Sequence, residues 1–100
     1  MPVYVMIAHD GPDGEARRAE YRAAHVAHLD ALDADGRILF AGPIRNDAND
    51  TSIGAVIVFE AESLAEAKAL VAKDPYVAGG VFARSEVSPF RPAYPKDSGD

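Results

Sequence analysis

Apolar and polar positions along this chain alternate between strand-like and helix-like stretches. Val3, Val5 and Ile7 alternate with Tyr4, Met6 and Ala8, so the run Val3–Ala8 offers apolar side chains to both faces, as a strand covered on both sides does. Gly11-Pro12-Asp13-Gly14 is turn chemistry, with Asp13 placed to cap the next helix. Ala16–Ala34 is an Ala- and charge-rich helical stretch closed by Gly36 at a plausible C′ position. Strand character returns over Arg37–Ile44, punctuated by Gly42-Pro43, and Arg45–Ser52 reads as a polar loop. Ile53–Glu60 is a third strand, with Ala55, Ile57 and Phe59 on one side and Val56 and Val58 on the other. Ser63 and Glu66 have capping-box spacing and start a second helix that runs to Ala72. Asp74-Pro75-Tyr76-Val77-Ala78 predicts a single capped turn, with Asp74 as N-cap and Pro75 at the first helical position. Gly79-Gly80 then releases the chain into a fourth strand, Val81–Phe90, whose Arg84, Glu86 and Pro89 suit a sheet edge.

The order β-α-β-β-α-β predicts an α+β, ferredoxin-like fold, a four-stranded antiparallel sheet with two helices on one face. Such a sheet leaves its other apolar face open, either Tyr4, Met6, Val56 and Val58 or the alternates Val3, Val5, Ile57 and Phe59. We therefore expect a homodimer packed sheet to sheet, with the segment around Phe90 and Tyr94 reaching the partner. Residues 1–92 make a single domain and 93–100 a polar tail.

Composition narrows the function. The 100 residues include no cysteine, which excludes a disulfide framework, a thiolate zinc site and a cysteine nucleophile. Sixteen acidic residues against 10 basic ones give a net charge of -6, a surface that repels phosphate, so neither nucleic acid nor an anionic membrane is an expected partner. No apolar run approaches the roughly 20 residues of a bilayer span. Met1-Pro-Val-Tyr has no basic n-region, so no signal peptide is visible and a cytoplasmic location is expected.

Right-handed crossovers bring the exit of the first strand, the first helix, the Arg45–Ser52 loop and Asp74 to one half of the molecule. At 100° per residue Tyr21, His25, His28, Leu29 and Leu32 form one inward stripe. A carboxylate such as Asp74 would fix the tautomer of an inward His25, and the pair could act as general base and then general acid near neutral pH. Arg22, one turn earlier, could hold an anionic substrate group, and Tyr76 and His9 are further substrate-binding candidates. Each has a plainer reading: His25 as a hydrogen-bonded core residue, Asp74 as an N-cap, Arg22 as an ion-pair partner of Glu15 or Asp30, and Tyr76 as a packing anchor. His25-x-x-His28 has metal-ligand spacing with His9 as a third donor, but a helical pair without a third assigned ligand is weak evidence for zinc, and neither a metal nor a cofactor is expected.

Three segments have a familiar form: Arg22-Ala-Ala-His25-Val-Ala-His28-Leu29, Gly36-Arg37-Ile38-Leu39-Phe40-Ala41-Gly42-Pro43, and Asp74-Pro75-Tyr76-Val77-Ala78-Gly79-Gly80-Val81 with Val87-Ser-Pro-Phe90 after it. In this order and spacing they resemble the YciI-like (YCII-related) family over Pro2–Phe90. The resemblance implies a ferredoxin-like fold of the dimeric α/β-barrel type and a His-Asp pair as active site, which falls here on His25 and Asp74. Arg22 matches the family's basic residue one turn before the histidine, whereas His9 matches no family signature. A dehydrochlorinase of chlorinated hydroxyquinones is associated with the family. The resulting expectation is a cofactor-independent acid-base enzyme of lyase, dehydrochlorinase or isomerase type acting on a small cyclic or anionic substrate. The alternative is a non-catalytic ligand-binding or accessory domain with the same pocket.

Overall fold

The computed structural model describes residues 1–96, so positions 97–100 of the expected polar tail lie outside the described residues. The elements run in the order β1 (Val3–Asp10), α1 (Gly14–Ala34), β2 (Ile38–Arg45), β3 (Ser52–Glu60), α2 (Leu64–Ala72), α3 (Pro75–Ala78) and β4 (Phe82–Pro89). The strands form one antiparallel sheet ordered β2-β3-β1-β4, the ferredoxin-like arrangement. Pro43 and Pro89, which lack an N–H for the ladder, sit on its two edge strands.

Register decides which side chains reach the helices. Tyr4 stands opposite Phe59, Met6 opposite Ile57 and Ala8 opposite Ala55. Tyr4, Met6, Ala8, Ile57 and Phe59 thus share one face, and they form the buried core with Ala61, Ala67 and Val71, Leu29 of α1 packing beside them. Val5, Ile7, Val56 and Val58 share the opposite face. The expected grouping of Tyr4 and Met6 with Val56 and Val58 is corrected by this pairing. In an antiparallel ladder a shift of one residue moves a whole strand to the other face, and two runs that are apolar on both sides do not reveal the register between them.

Helix ends are set by local chemistry. At the end of α1, Gly36 has φ +74° and donates its N–H to the Asp33 carbonyl, while Arg37 N–H reaches back to Leu32. This pair of bonds is a Schellman motif, and its left-handed position favours glycine. At the other end α1 begins at Gly14, and Asp13 occupies the N-cap without a side-chain capping bond. At α2, Ser63 Oγ accepts from the Glu66 N–H at 3.1 Å, and Glu66 Oε1 accepts from the Glu62 N–H at 2.7 Å and from Arg37 Nη1 at 2.9 Å. The capping box therefore also ties α2 to the residue that precedes β2.

Two of these contacts have measurable consequences. Gly54 is buried in β3, where a Cβ would collide with the Ala8 carbonyl of the neighbouring strand. Gly54→Ala should therefore destabilise the fold by about 1–3 kcal/mol, read as a lower midpoint of urea unfolding, and an unshifted midpoint would contradict this packing. The Glu66 carboxyl is held below its ordinary value of 4.5, first by the Glu62 N–H and then by Arg37. A carboxylate depressed in this way contributes stability that is fully present above that value and lost as pH falls through the folded one. Amide protection at Glu62 and along the first turn of α2 should weaken in that acid window, and Glu66→Gln should abolish the pH dependence.

Candidate active site

The inward stripe of α1 begins earlier than Tyr21. Successive turns present Arg17 and Arg18, then Tyr21, then His25, and each meets a fixed partner. Arg17 Nη1 donates to the Gly79 carbonyl at 3.1 Å, and the Tyr21 ring packs where a side chain on Gly79 would have to sit. His25 meets the start of α3, and this docking places the candidate site between α1, α3 and the helix-covered face of the sheet.

At its centre His25 Nδ1 lies 2.8 Å from Asp74 Oδ1. Asp74 is 2% exposed, and the same Oδ1 accepts the Tyr76 N–H at 2.9 Å. One oxygen thus performs both roles read from the sequence, N-cap of α3 and partner of His25. With the carboxylate as acceptor the shared proton is assigned to Nδ1, and in the neutral imidazole Nε2 then carries the lone pair. Nε2 makes no hydrogen bond among the described residues, and His25 lines a cavity of about 340 Å³. Tyr76 fixes the ring plane: its aromatic ring stacks on the imidazole with centroids 3.7 Å apart and planes 4° apart, while Phe82 stands edge-on at 6.2 Å. Tyr76 is buried, and its hydroxyl donates back to the Arg18 carbonyl at 3.4 Å. It borders the cavity mainly as the wall behind His25.

Sequence reasoning missed Arg18 and Asp10. Arg18 is only 8% exposed and grips Asp10 with both arms of its fork, Nε to Oδ2 at 2.8 Å and Nη2 to Oδ1 at 2.9 Å. Nη2 also donates to the Gly54 carbonyl at 2.9 Å, tying α1 to β1 and β3. The bond to Asp10 outweighs the effect of burial and holds the guanidinium more firmly protonated than usual. The helical period contained the signal, since Arg18 lies seven residues before His25 on the same stripe.

The other expected residues divide. Arg22 lines the cavity, is exposed, and makes no ion pair among the described residues, so neither Glu15 nor Asp30 engages it. Arg45, on the opposite wall, is held by Ser52 Oγ at 3.2 Å and the Asn49 carbonyl at 3.1 Å, within a loop organised by the Asn46 side chain. His9 does not join them. β1 continues to Asp10, so strand alternation places His9 with Val5 and Ile7 on the far face, opposite Gly54 and Arg84, and the expectation that it lines the cavity is corrected. His28 lies beside Leu29 and Leu32, and no three His, Asp or Glu side chains among the described residues converge closely enough to hold a metal ion.

A ferredoxin-like sheet with a part-buried His-Asp pair in the cavity beneath its helices defines a recognisable class. The chain matches the YCII-related domain over residues 2–91 and belongs to that family. It is 39% identical to Protein YciI of Escherichia coli O6:H1 over 97 residues, covering 92% of this chain and 99% of that one. It is 36% identical to a Haemophilus influenzae protein, covering 91% and 98% of the two chains. Among solved structures, it is similar to the 5-chloro-2-hydroxyhydroquinone dehydrochlorinase TftG of Burkholderia phenoliruptrix AC1100, solved in complex with 2,5-dihydroxybenzoquinone. The TM-score is 0.80 and the identity 29%, with 89% of this chain and 93% of TftG covered.

Proposed function

We propose that this protein is a cofactor-independent acid-base enzyme of the lyase or isomerase type, in which Asp74 orients His25 and His25 Nε2 moves a proton on a small cyclic or anionic substrate. The observation that carries the reading is the 2.8 Å bond from His25 to a carboxylate that is 2% exposed, at the wall of a cavity. A buried acceptor on Nδ1 fixes the tautomer of the neutral imidazole and makes the aimed Nε2 more basic, as a general base requires. Arg22 and Tyr76 position the substrate, Arg22 by charge and Tyr76 by holding the imidazole plane.

The chemistry balances without an oxidant. In an eliminating dehydrochlorination, Nε2 takes a proton from the substrate, the released electron pair forms the new double bond, and chloride departs with the carbon–chlorine pair. Likeness to TftG, a dehydrochlorinase that binds a small hydroxylated ring, supports this reaction class. A metabolite-binding role without turnover uses the same pocket and is the outcome if no reaction is found.

The reading includes a homodimer formed through the open sheet face. Val5, Ile7 and Val56 lie on that face beside Val58, which is already buried, and Phe40 of β2 stands opposite Val58; Ile7 is 40% and Phe40 59% exposed. At about 25 cal/mol per Å², covering ~400 Å² of such surface is worth on the order of 10 kcal/mol before association costs. Phe90 and Tyr94, 42% and 76% exposed, are the residues from the C-terminal segment that would reach the partner.

Two measurements test these proposals. Chloride release from 5-chloro-2-hydroxyhydroquinone should fall roughly 10²–10⁴-fold in His25→Ala and by a comparable factor in Asp74→Asn, with circular dichroism unchanged; full activity in both folded variants refutes the pair. In sedimentation at low micromolar concentration the native chain should run as a dimer and Ile7→Glu as a folded monomer, whereas a native species of 10.6 kDa refutes the sheet-to-sheet dimer.

A further inference from the structure

We propose that Arg18 is the substrate anchor of this cavity, with Nη1 donating to an acidic oxygen on a ring-sized ligand whose reacting proton lies at His25. The inference rests on the acid-base reading above and deepens it by stating what the ligand carries and at what spacing.

Arg18 is more than nine-tenths buried, and three of its N–H groups are committed, to Asp10 twice and to the Gly54 carbonyl once. Nη1 makes no hydrogen bond among the described residues. None of their side-chain nitrogens or oxygens is buried without a partner, so Nη1 opens on the cavity that Arg18 lines. A tie between α1 and the sheet needs only the arms on Asp10 and Gly54. The remaining edge is a directed cation that no protein carboxylate or carbonyl engages, the Tyr76 side chain being its one further polar neighbour, and it suits an anionic oxygen.

The surroundings agree in sign and in size. Arg22 and Arg45 line the same cavity, and among its described lining residues the one carboxylate, Asp74, is already engaged with His25. The Arg18 guanidinium carbon is 5.2 Å from the centre of the Tyr76 ring, and that ring is 3.7 Å from the imidazole, so cation and base stand within about 9 Å of each other. Met6, Leu29, Ile57 and Phe82 provide apolar walls. The ligand class is therefore a compact, flat, apolar body with a phenolate, enolate or carboxylate oxygen at the Arg18 end and an ionisable C–H or O–H within about 9 Å of it.

Benzoate and its neutral isostere benzamide test this by calorimetric titration at neutral pH, without any need for turnover. The native protein should bind benzoate about tenfold or more tightly than benzamide, the size of a charge-assisted hydrogen bond. In Arg18→Lys the compact ammonium is consumed by Asp10 and the Gly54 carbonyl, and the preference should fall to about twofold or less. A native protein without the preference overturns the proposal, as does a folded Arg18→Lys that keeps it, since Arg22 or Arg45 would then hold the anion. If Arg18→Lys does not fold, the pair Asp10→Asn with Arg18→Gln replaces it, with the same expected loss and the same overturning result. The two readings fail separately: a failed acid-base reading leaves chloride release unaffected in His25→Ala, whereas a failed anchor leaves the benzoate preference unaffected in the Arg18 variants.

Discussion

A carboxylate withdrawn from water is unfavourable unless its lone pairs are satisfied, and Asp74 is withdrawn almost completely. Its Oδ1 meets that constraint with two donors at once, the Tyr76 N–H from its own helix and the His25 imidazole from α1. The consequences run in a closed path. Capping α3 orients Tyr76, Tyr76 stacks on His25, the Tyr76 hydroxyl returns to the Arg18 carbonyl on α1, and α1 presents His25 to Asp74 again. Moving any one of these groups displaces the others, so the fold of this corner and the aim of Nε2 are one property.

The path is anchored to the sheet by the Arg18–Asp10 pair and by the Gly54 carbonyl. β4 slips register between its pairings with His9 and Asp10, which sets Phe82 opposite Asp10 and edge-on to Tyr76. The candidate site therefore stands largely on strands and helices, with Asp74 as the cap between α2 and α3, and regular elements hold site geometry more tightly than loops do. Arg45 is less firmly set. It leaves the end of β2, and its position depends on the Asn46-centred turn, in which Asp50 is kept below the ordinary carboxylate range first by its bond to the Asn46 side chain.

Much of this is legible in the sequence because it is written locally. The Ser63–Glu66 spacing, Asp74-Pro75 and Gly36 specify helix ends through bonds within a few residues, and all three stand where the pattern puts them. His25 is legible because helical periodicity extends to neighbouring turns. Information held between strands is not. Ending the first strand at Ala8 sends His9 to the cavity, and one more step of alternation through Asp10 places it on the opposite face. The pairing of Tyr4 with Phe59 depends on the register of two segments some fifty residues apart, and nothing within either segment encodes it. Arg18 escapes notice because a charged residue near a helix start reads as solvated, although the partner that makes its burial tolerable, Asp10, is only eight residues away.

The distribution of charge is compatible with the proposed acidic ligand in an acidic protein. The chain carries -6 overall, yet arginines dominate the charge lining the cavity. At physiological ionic strength surface charges are screened beyond about 8 Å, so the acidic exterior neither attracts a small anion from a distance nor cancels the field inside the cavity. Within it, Arg18 is desolvated by the helix above and the sheet below, and its interaction with an oxyanion is strengthened by the same burial that made Asp10 necessary. Selection is therefore local. Under the proposed reading a ligand gains only after it has entered, when its oxygen reaches Arg18 and its proton lies at His25, so discrimination would rest on the spacing between a cation and a base set on one helix.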